Sequence, residues 1–463
     1  MPPAEIVNAL ETALGHGAVI SGTDIGERYI EDVLGNRGEA PLAIVRPLST
    51  HDVSRILTIC HAHGAPVVTQ GGRTGLALGQ LPRNDEVVLS LERMTKIEVV
   101  DADAGTATVQ AGVILQALQD EVEKEGLMFP LDLGGRGSCT IGGNIATNAG
   151  GNRVIRYGMT RDLVVGIEAV LADGTILDSL RTVTKNNTGP DLKQLFIGSE
   201  GMLGVVTRAV LRLVPKPTDR IVALCAVDDF AQVRALLRHC RARLGGDLTA
   251  FEVMWRSYYS RAVGLAGSPP PIATDHAYHI LIEASGMDSR LLRDILELAL
   301  GEASDNGMIA DAVVSRSSAE NDRLWRVRDL AIETSRLIAP LVPFDVSVGI
   351  RNMDAFVNDV GKAVLDLDPR CEILVFGHVG DGNLHFAIHN PPDRDELFEQ
   401  IEHVVYQCVG TYRGSVSAEH GIGWLKRDFL KYTRSPAEIQ TMRMLKMTLD
   451  PKRVLNRNRV IEI

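Results

Sequence analysis

Five of the twelve histidines fall after residue 377, and three share one short segment, Gly377-His378-Val379-Gly380-Asp381-Gly382-Asn383-Leu384-His385-Phe386-Ala387-Ile388-His389. Glu372–His389 reads as a β-hairpin, because Asp381-Gly382 suits a two-residue type I′ turn. Such a turn sets His378 directly opposite His385 on one face, with Cβ atoms about 5 Å apart. Two imidazoles at that spacing can chelate one divalent cation. His389 lies on the same face, two pairs away. Further on, Ser417-Ala418-Glu419-His420-Gly421-Ile422-Gly423 puts a carboxylate and an imidazole side by side, bounded by glycines. Two histidines and one glutamate make a zinc shell of the catalytic type, with open positions. The competing reading is a pair of core histidines hydrogen-bonded to backbone.

Glycine is abundant, at 44 residues, and clusters before residue 205. Gln70-Gly71-Gly72-Arg73-Thr74-Gly75-Leu76 follows a predicted strand. Its consecutive glycines can turn backbone N–H groups inward as an anion nest, with Arg73 and the Thr74 hydroxyl at hand for a phosphate. A tight structural turn is the alternative. Ser138–Gly151 holds only small side chains and two isoleucines, so a flat, extended ligand could lie against its main chain. The third cluster is Phe196-Ile197-Gly198-Ser199-Glu200-Gly201-Met202-Leu203-Gly204-Val205-Val206-Thr207.

These groups must be positioned by more than one core, since 463 residues exceed what one domain usually buries. Before residue 217, a strand (Leu42–Leu48), a helix opened by Ser49 or Thr50 (Thr50–His63) and a strand (Pro66–Thr69) precede two hairpins, Glu98–Ala111 and Val164–Leu177, with a helix Leu115–Glu125 between them. After Val214-Pro215-Lys216-Pro217 the pattern becomes strand Ile221–Val227, helix Ala231–Leu244, strands Leu248–Met254 and Tyr278–Ala284, helix Arg290–Ala303, strand Met308–Val314. That order predicts an antiparallel sheet backed by helices. Pro436–Ile463 reads as helical, then extended.

The net charge of −11 argues against nucleic acid or an anionic membrane as partner. No run approaches the roughly 18 apolar residues of a membrane span. Met1–Gly15 carries acids and no base, unlike a signal or transit peptide. Six scattered cysteines without a C-x-x-C pair read as free thiols in a reducing, cytoplasmic compartment. G-x-G-x-x-G after a strand, the P-loop, H-E-x-x-H and G-x-S-x-G are all missing, which removes the Rossmann, nucleotidase, zincin and serine-hydrolase readings.

In order and spacing, the three glycine clusters resemble the flavin domain of the vanillyl-alcohol-oxidase type. The chain from Pro41 to Leu455 is similar to D-lactate, glycolate and D-2-hydroxyglutarate dehydrogenases of that superfamily. The resemblance implies an α+β fold. An FAD-binding domain of two subdomains would span 1–216, a substrate and metal cap domain with an antiparallel sheet 217–425, and a segment returning to the FAD domain 426–463. It assigns FAD contacts to Gln70, Gly71, Gly72, Arg73, Thr74, Gly75, Leu76, Ser138, Gly142, Gly143, Asn144, Ala146, Thr147, Glu200, Gly204, Val206 and Asn456. The FAD is expected to be non-covalent, because the first loop has no histidine. The G-H-x-G-D-G-N-x-H and A-E-H-G-x-G motifs of these dehydrogenases are intact. They carry His378, His385 and Glu419 to a divalent metal, zinc by donor type, and His420 to the catalytic base. Trp325-Arg326-Val327-Arg328 matches a W-x-x-R motif that gives Arg328 the substrate carboxylate, and Asn383 faces substrate or flavin. A 2-hydroxy acid would chelate the metal through its hydroxyl and one carboxylate oxygen. His420 would take the hydroxyl proton as hydride passes to the flavin.

The match departs at three places. Relatives that oxidise D-2-hydroxyglutarate place a Lys where Pro343 stands, and a polar residue near Ile332 is apolar here. A second carboxylate would lack a partner, which favours a D-lactate-like monocarboxylate or a hydrophobic 2-hydroxy acid over D-2-hydroxyglutarate or D-malate. The L-N-P-G-K ending is Leu455-Asn456-Arg457-Asn458, leaving Asn456 as the cofactor contact. Electrons would pass to a separate quinone, cytochrome or electron-transfer flavoprotein, and a homodimer is compatible. The rivals are a flavin-dependent transferase on the same fold, a metal-dependent hydrolase without flavin, and a non-catalytic electron-transfer subunit.

Overall fold

The computed structural model describes residues 3–267, 269–394 and 396–463; Met1 and Pro2, which open the stretch read for a leader, lie outside them. The chain forms two compact units. One comprises the residues up to Gly151, then Gly158–Lys216 and Glu419–Ile463; the other comprises Asn152–Tyr157 and Pro217–Ala418. Residues 152–157 thus go with the second unit, and the return to the first comes at Glu419, whereas the sequence reading draws its boundaries at 216 and 425.

The first unit contains two larger sheets and a two-stranded one, Leu127–Met128 with Val214–Pro215. In the four-stranded one, Val19–Ser21 pairs antiparallel with Ala43–Val45, followed by Val87–Ser90 and Val67–Gln70 in parallel. The helix Thr50–His63 crosses from Ala43–Val45 to Val67–Gln70, the two strands that flank Val87–Ser90, burying Val53, Ile56, Leu57 and Cys60. Ser49 Oγ caps that helix by accepting from Asp52 N at 3.2 Å, and Gly64 ends it at φ 65°. The second sheet is antiparallel, in the order Ile97–Asp101, Thr106–Gln110, Val205–Arg212, Val164–Val170, Ile176–Ser179. Both predicted hairpins are found in it. The C-terminal helix Pro436–Leu449 begins with a Ser435/Glu438 capping box. Beyond it the chain reaches the edge strand Val67–Gln70, where Val67 N donates to Val454 O at 2.7 Å. The buried Lys446 Nζ fixes this return by donating to Asp450 Oδ2 (2.5 Å), Leu455 O (2.6 Å) and Met202 O (2.8 Å).

The second unit is built on one seven-stranded antiparallel sheet. Its order is Asp311–Val314, Asp219–Val227, Tyr278–Gly286, Leu248–Trp255, Ile373–Gly377, Asn383–His389, Leu341–Ser347. The helices Arg256–Ala266 and Ser318–Asp329 cover one face, where Tyr258, Tyr259, Leu324 and Trp325 pack with Val222, Leu224, Met254, Leu374 and Phe376. On the other face, Phe230 of the helix Phe230–Leu244 meets Trp255 and Tyr278, Phe356 of Met353–Leu367 meets Phe386, and Tyr406 of Leu397–Thr411 meets Phe344. Strands buried on both sides become nearly continuous apolar runs, which is why Asp219–Val227 and Leu248–Trp255 were legible as strands. The strand Leu341–Ser347 and the helices that follow Val314 were not assigned from sequence.

Ser138–Gly151, given no element from sequence, contains the helix Ile141–Thr147, capped by Thr140 and closed by Asn148 at φ 50°. Two local expectations are corrected. The hairpin turn is wider than two residues. Of Asp381-Gly382 only Gly382 has positive φ, at 99°, and the His378 carbonyl accepts from Asp381, Gly382 and Asn383 N–H groups. Type I′ needs positive φ at both central residues. In consequence the residue directly opposite His385 is Phe376, not His378. A slip of two residues preserves the face on which each side chain stands. Finally, after Leu449 the tail forms no strand, only a bridge between Leu455 and Val67. All six cysteines are free thiols, and among the described residues no helix is long and apolar enough to cross a membrane.

His279 lies fully buried, stacked on Tyr259 with ring centroids 3.5 Å apart, its Nε2 2.8 Å from Ala273 O. Burial lowers its pKa from 6.5 to about 4. The unfolded chain therefore takes up a proton below pH 6.5 that the folded chain refuses until about pH 4. Stability present above 6.5 is lost as pH falls through that window, by up to about 3 kcal/mol. Urea midpoints at pH 7 and pH 5 should differ less in His279→Gln than in the parent; an unchanged difference would refute the assignment.

Candidate active site

In the first unit, one cleft is lined by Gly71–Leu76, by Gly142, Gly143, Asn144, Ala146 and Thr147, by Glu200, Gly204 and Val206, and by Asn456. Glu419 and His420 line the same cleft. Of the residues assigned to the cofactor, Ser138 lines an adjoining cavity with Arg73 and Glu92. Gln70 braces the loop from behind, its amide donating to Tyr29 O (2.8 Å) and Gln80 O (2.9 Å).

The glycines are needed first for contact between loops. A Cβ on Gly71 would stand 2.4 Å from Thr140 Oγ1, and one on Gly72 2.1 Å from Ser138 O. The Gly71–Leu76 loop and the cap of the Ile141–Thr147 helix therefore touch main chain to main chain. Gly142 is held the same way against Ala111, where a Cβ would come within 2.7 Å of the Ala111 Cβ.

Glu200 sits at φ 51° and turns its carboxylate onto the loop that carries Glu419 and His420. It accepts from Ile422 N at 2.6 Å and from Gly423 N at 2.9 Å. Burial raises its pKa, while the two backbone bonds oppose that rise. Gly421 and Gly423 both have positive φ, and a Cβ on Gly423 would lie 2.0 Å from Ala77 O. Glu200 O in turn accepts from the Asn456 amide. One acid thus ties the third glycine cluster, the A-E-H-G-x-G loop and the C-terminal return together.

In the second unit, a buried carboxylate organises the side chains. Glu252 lies on Leu248–Trp255 with 1% exposure. Its Oε1 accepts from His378 Nδ1 at 2.6 Å, and its Oε2 accepts from Arg328 Nε at 2.9 Å. Desolvation would raise the Glu252 pKa, but His378 and Arg328 hold it down at about 2. The Arg328 guanidinium lies 4.6 Å over the Phe376 ring. The other half of the W-x-x-R motif anchors the helix Ser318–Asp329, since Trp325 Nε1 donates to Glu283 Oε2 at 2.8 Å. Phe376 also packs on His385 (5.1 Å), and the rings of His378 and His385 are 5.4 Å apart at 83°. His389, on the same face, bonds Ile338 O through Nδ1 at 2.8 Å and serves the fold.

Opposite His385 stands Asp345, with 1% exposure. Its Oδ2 accepts from Ala418 N at 3.1 Å, and Ser347 pairs with Ser415. Those bonds fix the chain up to the residue before Glu419. Asn383 is 5% exposed, and neither polar atom of its side chain has a partner among the described residues. Sequence reasoning missed Glu252, Glu283, Asp345 and Phe376. The signal was present for the three acids: a lone carboxylate inside an apolar strand such as Leu-Thr-Ala-Phe-Glu-Val-Met-Trp must have a buried partner.

Residues 41–179 match the FAD binding domain, and residues 216–460 match the C-terminal domain of FAD linked oxidases. The chain belongs to the FAD-linked oxidase family. It is 37% identical, over 99% of both chains, to D-2-hydroxyglutarate dehydrogenase of Stutzerimonas stutzeri. To the mitochondrial D-2-hydroxyglutarate dehydrogenase of Bos taurus it is 40% identical over 89% of this chain and 75% of that one. A putative mitochondrial D-lactate dehydrogenase of Schizosaccharomyces pombe is 36% identical over 90% of this chain and 81% of its own. The fold is that of p-cresol methylhydroxylase, with TM-score 0.77, 16% identity and coverage of 99% and 97%. Alkyldihydroxyacetonephosphate synthase follows at TM-score 0.74 and 19% identity, over 98% of this chain and 84% of that one.

The family implies FAD, and the cleft of this FAD-linked oxidase fits it. Its walls are glycine backbone, and Thr69 Oγ1 and Asn144 Nδ2, both on its lining, are buried without a hydrogen-bond partner among the described residues. Gly72→Ala should force the two loops apart at a cost of about 1–3 kcal/mol. The purified variant should hold less flavin per protein, read from the ratio of absorbance near 450 and 280 nm; full flavin content would show that the loop contact is dispensable.

Proposed function

We propose that the protein oxidises a D-2-hydroxy acid to the 2-oxo acid, with FAD as hydride acceptor and His420 as proton acceptor. One observation carries this reading: Glu419 and His420 line the same cleft as the glycine loops. The names of the relatives support the reaction class.

FAD, held non-covalently by Gly71–Leu76, Ser138, Gly142–Thr147, the Glu200–Val206 segment and Asn456, supplies the two-electron acceptor when bound. A divalent cation, zinc by donor type, held by His378, His385 and Glu419, supplies Lewis-acid polarisation of the substrate hydroxyl. The donor chemistry supports that assignment: a His378 that donates from Nδ1 to Glu252 presents Nε2 as its ligating nitrogen, the usual arrangement of a metal-binding imidazole. Ala418, one residue before Glu419, is bonded to Asp345, and Asp345 stands opposite His385. His420 takes the hydroxyl proton. Arg328, with Nε committed to Glu252, offers its terminal nitrogens to the substrate carboxylate as a bidentate donor. Asn383, with both polar atoms unmatched among the described residues, is the residue that faces substrate or flavin.

A D-lactate-like or hydrophobic substrate is favoured. Pro343 faces Ala387 in register on the face that carries Asp345 and His385, and Ile332 is 65% exposed, so neither position supplies a cation for a second carboxylate. The high identity to D-2-hydroxyglutarate dehydrogenases favours the second reading, a dicarboxylate held by another basic residue. Electrons would leave to a quinone, cytochrome or electron-transfer flavoprotein.

Anaerobic mixing with D-lactate, a D-2-hydroxy acid with a hydrophobic side chain, D-2-hydroxyglutarate and D-malate, scored by flavin bleaching, separates the readings. Bleaching by none of these, or equally by the L-forms, would overturn the activity. His420→Ala should keep its flavin and lose at least about 100-fold in reduction rate; normal turnover would overturn its role. His378→Ala should lose bound cation and activity together, measured by elemental analysis beside the assay, and unchanged metal content would remove the chelate.

A further inference from the structure

Glu252 belongs to none of the motifs, yet it touches both a proposed ligand and the proposed carboxylate clamp. Its two oxygens are divided between them, Oε1 to His378 Nδ1 at 2.6 Å and Oε2 to Arg328 Nε at 2.9 Å. All three side chains are more than nine-tenths buried. They come from separate elements, the strand Leu248–Trp255, the turn after Ile373–Gly377 and the helix Ser318–Asp329. Nothing local to any one element sets the distance between the imidazole and the guanidinium.

We propose that Glu252 is a positioning residue that fixes the His378 tautomer and the Arg328 orientation with one carboxylate, so that cation affinity and substrate binding depend on the same side chain. This rests on the metal and Arg328 assignments above. An ionised carboxylate accepts from both partners at once. A glutamine cannot, because its amide nitrogen would face either the Arg328 Nε–H or the His378 Nδ1–H, donor against donor. A His378 that loses its acceptor no longer has its proton held on Nδ1, and a proton moved to Nε2 blocks ligation there. Arg328 loses its hold at the same time.

The test uses the FAD-loaded protein and zinc(II), titrated against a chromophoric chelator, with D-lactate or whichever D-2-hydroxy acid bleaches the flavin as substrate. Glu252→Gln should weaken zinc binding about 10- to 100-fold and raise the substrate KM, with flavin absorbance and far-ultraviolet circular dichroism unchanged. Glu252→Asp keeps the charge but is one methylene short, and should recover part of the zinc affinity. A Glu252→Gln protein that folds and binds zinc within threefold of the parent, at unchanged KM, overturns the proposal. If Glu252→Gln fails to fold, Glu252→Asp decides. Zinc affinity and substrate KM shifted together from the parent values support a shared carboxylate, and both unchanged overturn it. A parent that binds no zinc and is untouched by chelator fails the metal reading itself, an outcome distinct from a Glu252 variant that matches a zinc-binding parent.

Discussion

A carboxylate with 1% exposure inside an apolar sheet stays ionised only if positive charge comes to it. That requirement at Glu252 organises the second unit. Arg328 brings that charge and His378 a hydrogen-bond donor, from two other elements, and the pair of bonds they make sets the orientation of the imidazole and of the guanidinium. Buried pairs of this kind contribute little net stability, yet removing one partner costs about 3–5 kcal/mol. The arrangement therefore serves geometry more than stability. Phe376 extends it, lying under Arg328 and against His385, so the guanidinium, the two imidazoles and the aromatic ring form one packed group.

The first unit solves a different problem, the close approach of backbone to backbone. Gly71 and Gly72 meet Thr140 and Ser138 at distances no side chain would allow, and Gly423 meets Ala77 in the same way. Flat walls of main chain result, with Glu200 as the clasp that keeps Gly421–Gly423 against the glycine clusters. The two units thus rely on opposite devices. One uses missing side chains, the other a charged side chain in a place where charge is costly.

The register of the His378–His385 hairpin shows why face assignments survive errors in turn geometry. A two-residue turn and the wider turn that forms differ by two positions, and the period of a strand is two. His378 and His385 keep the same face and come within ring contact, although Phe376 takes the directly opposed place.

The sequence by itself determined the flavin-type glycine clusters, the histidine and Glu-His motifs and most elements before Val314, because glycine runs, caps and strand or helix periods are local signals. Thr50–His63 was legible to the residue through its Ser49 cap. Only the tertiary structure decided which groups complete those motifs. Glu252, Glu283 and Asp345 are single acids in apolar strands, and their partners lie 76, 42 and 73 residues away in sequence. No period or spacing encodes such pairs; they follow from strand order in the sheet, which sets neighbours that the linear chain keeps apart.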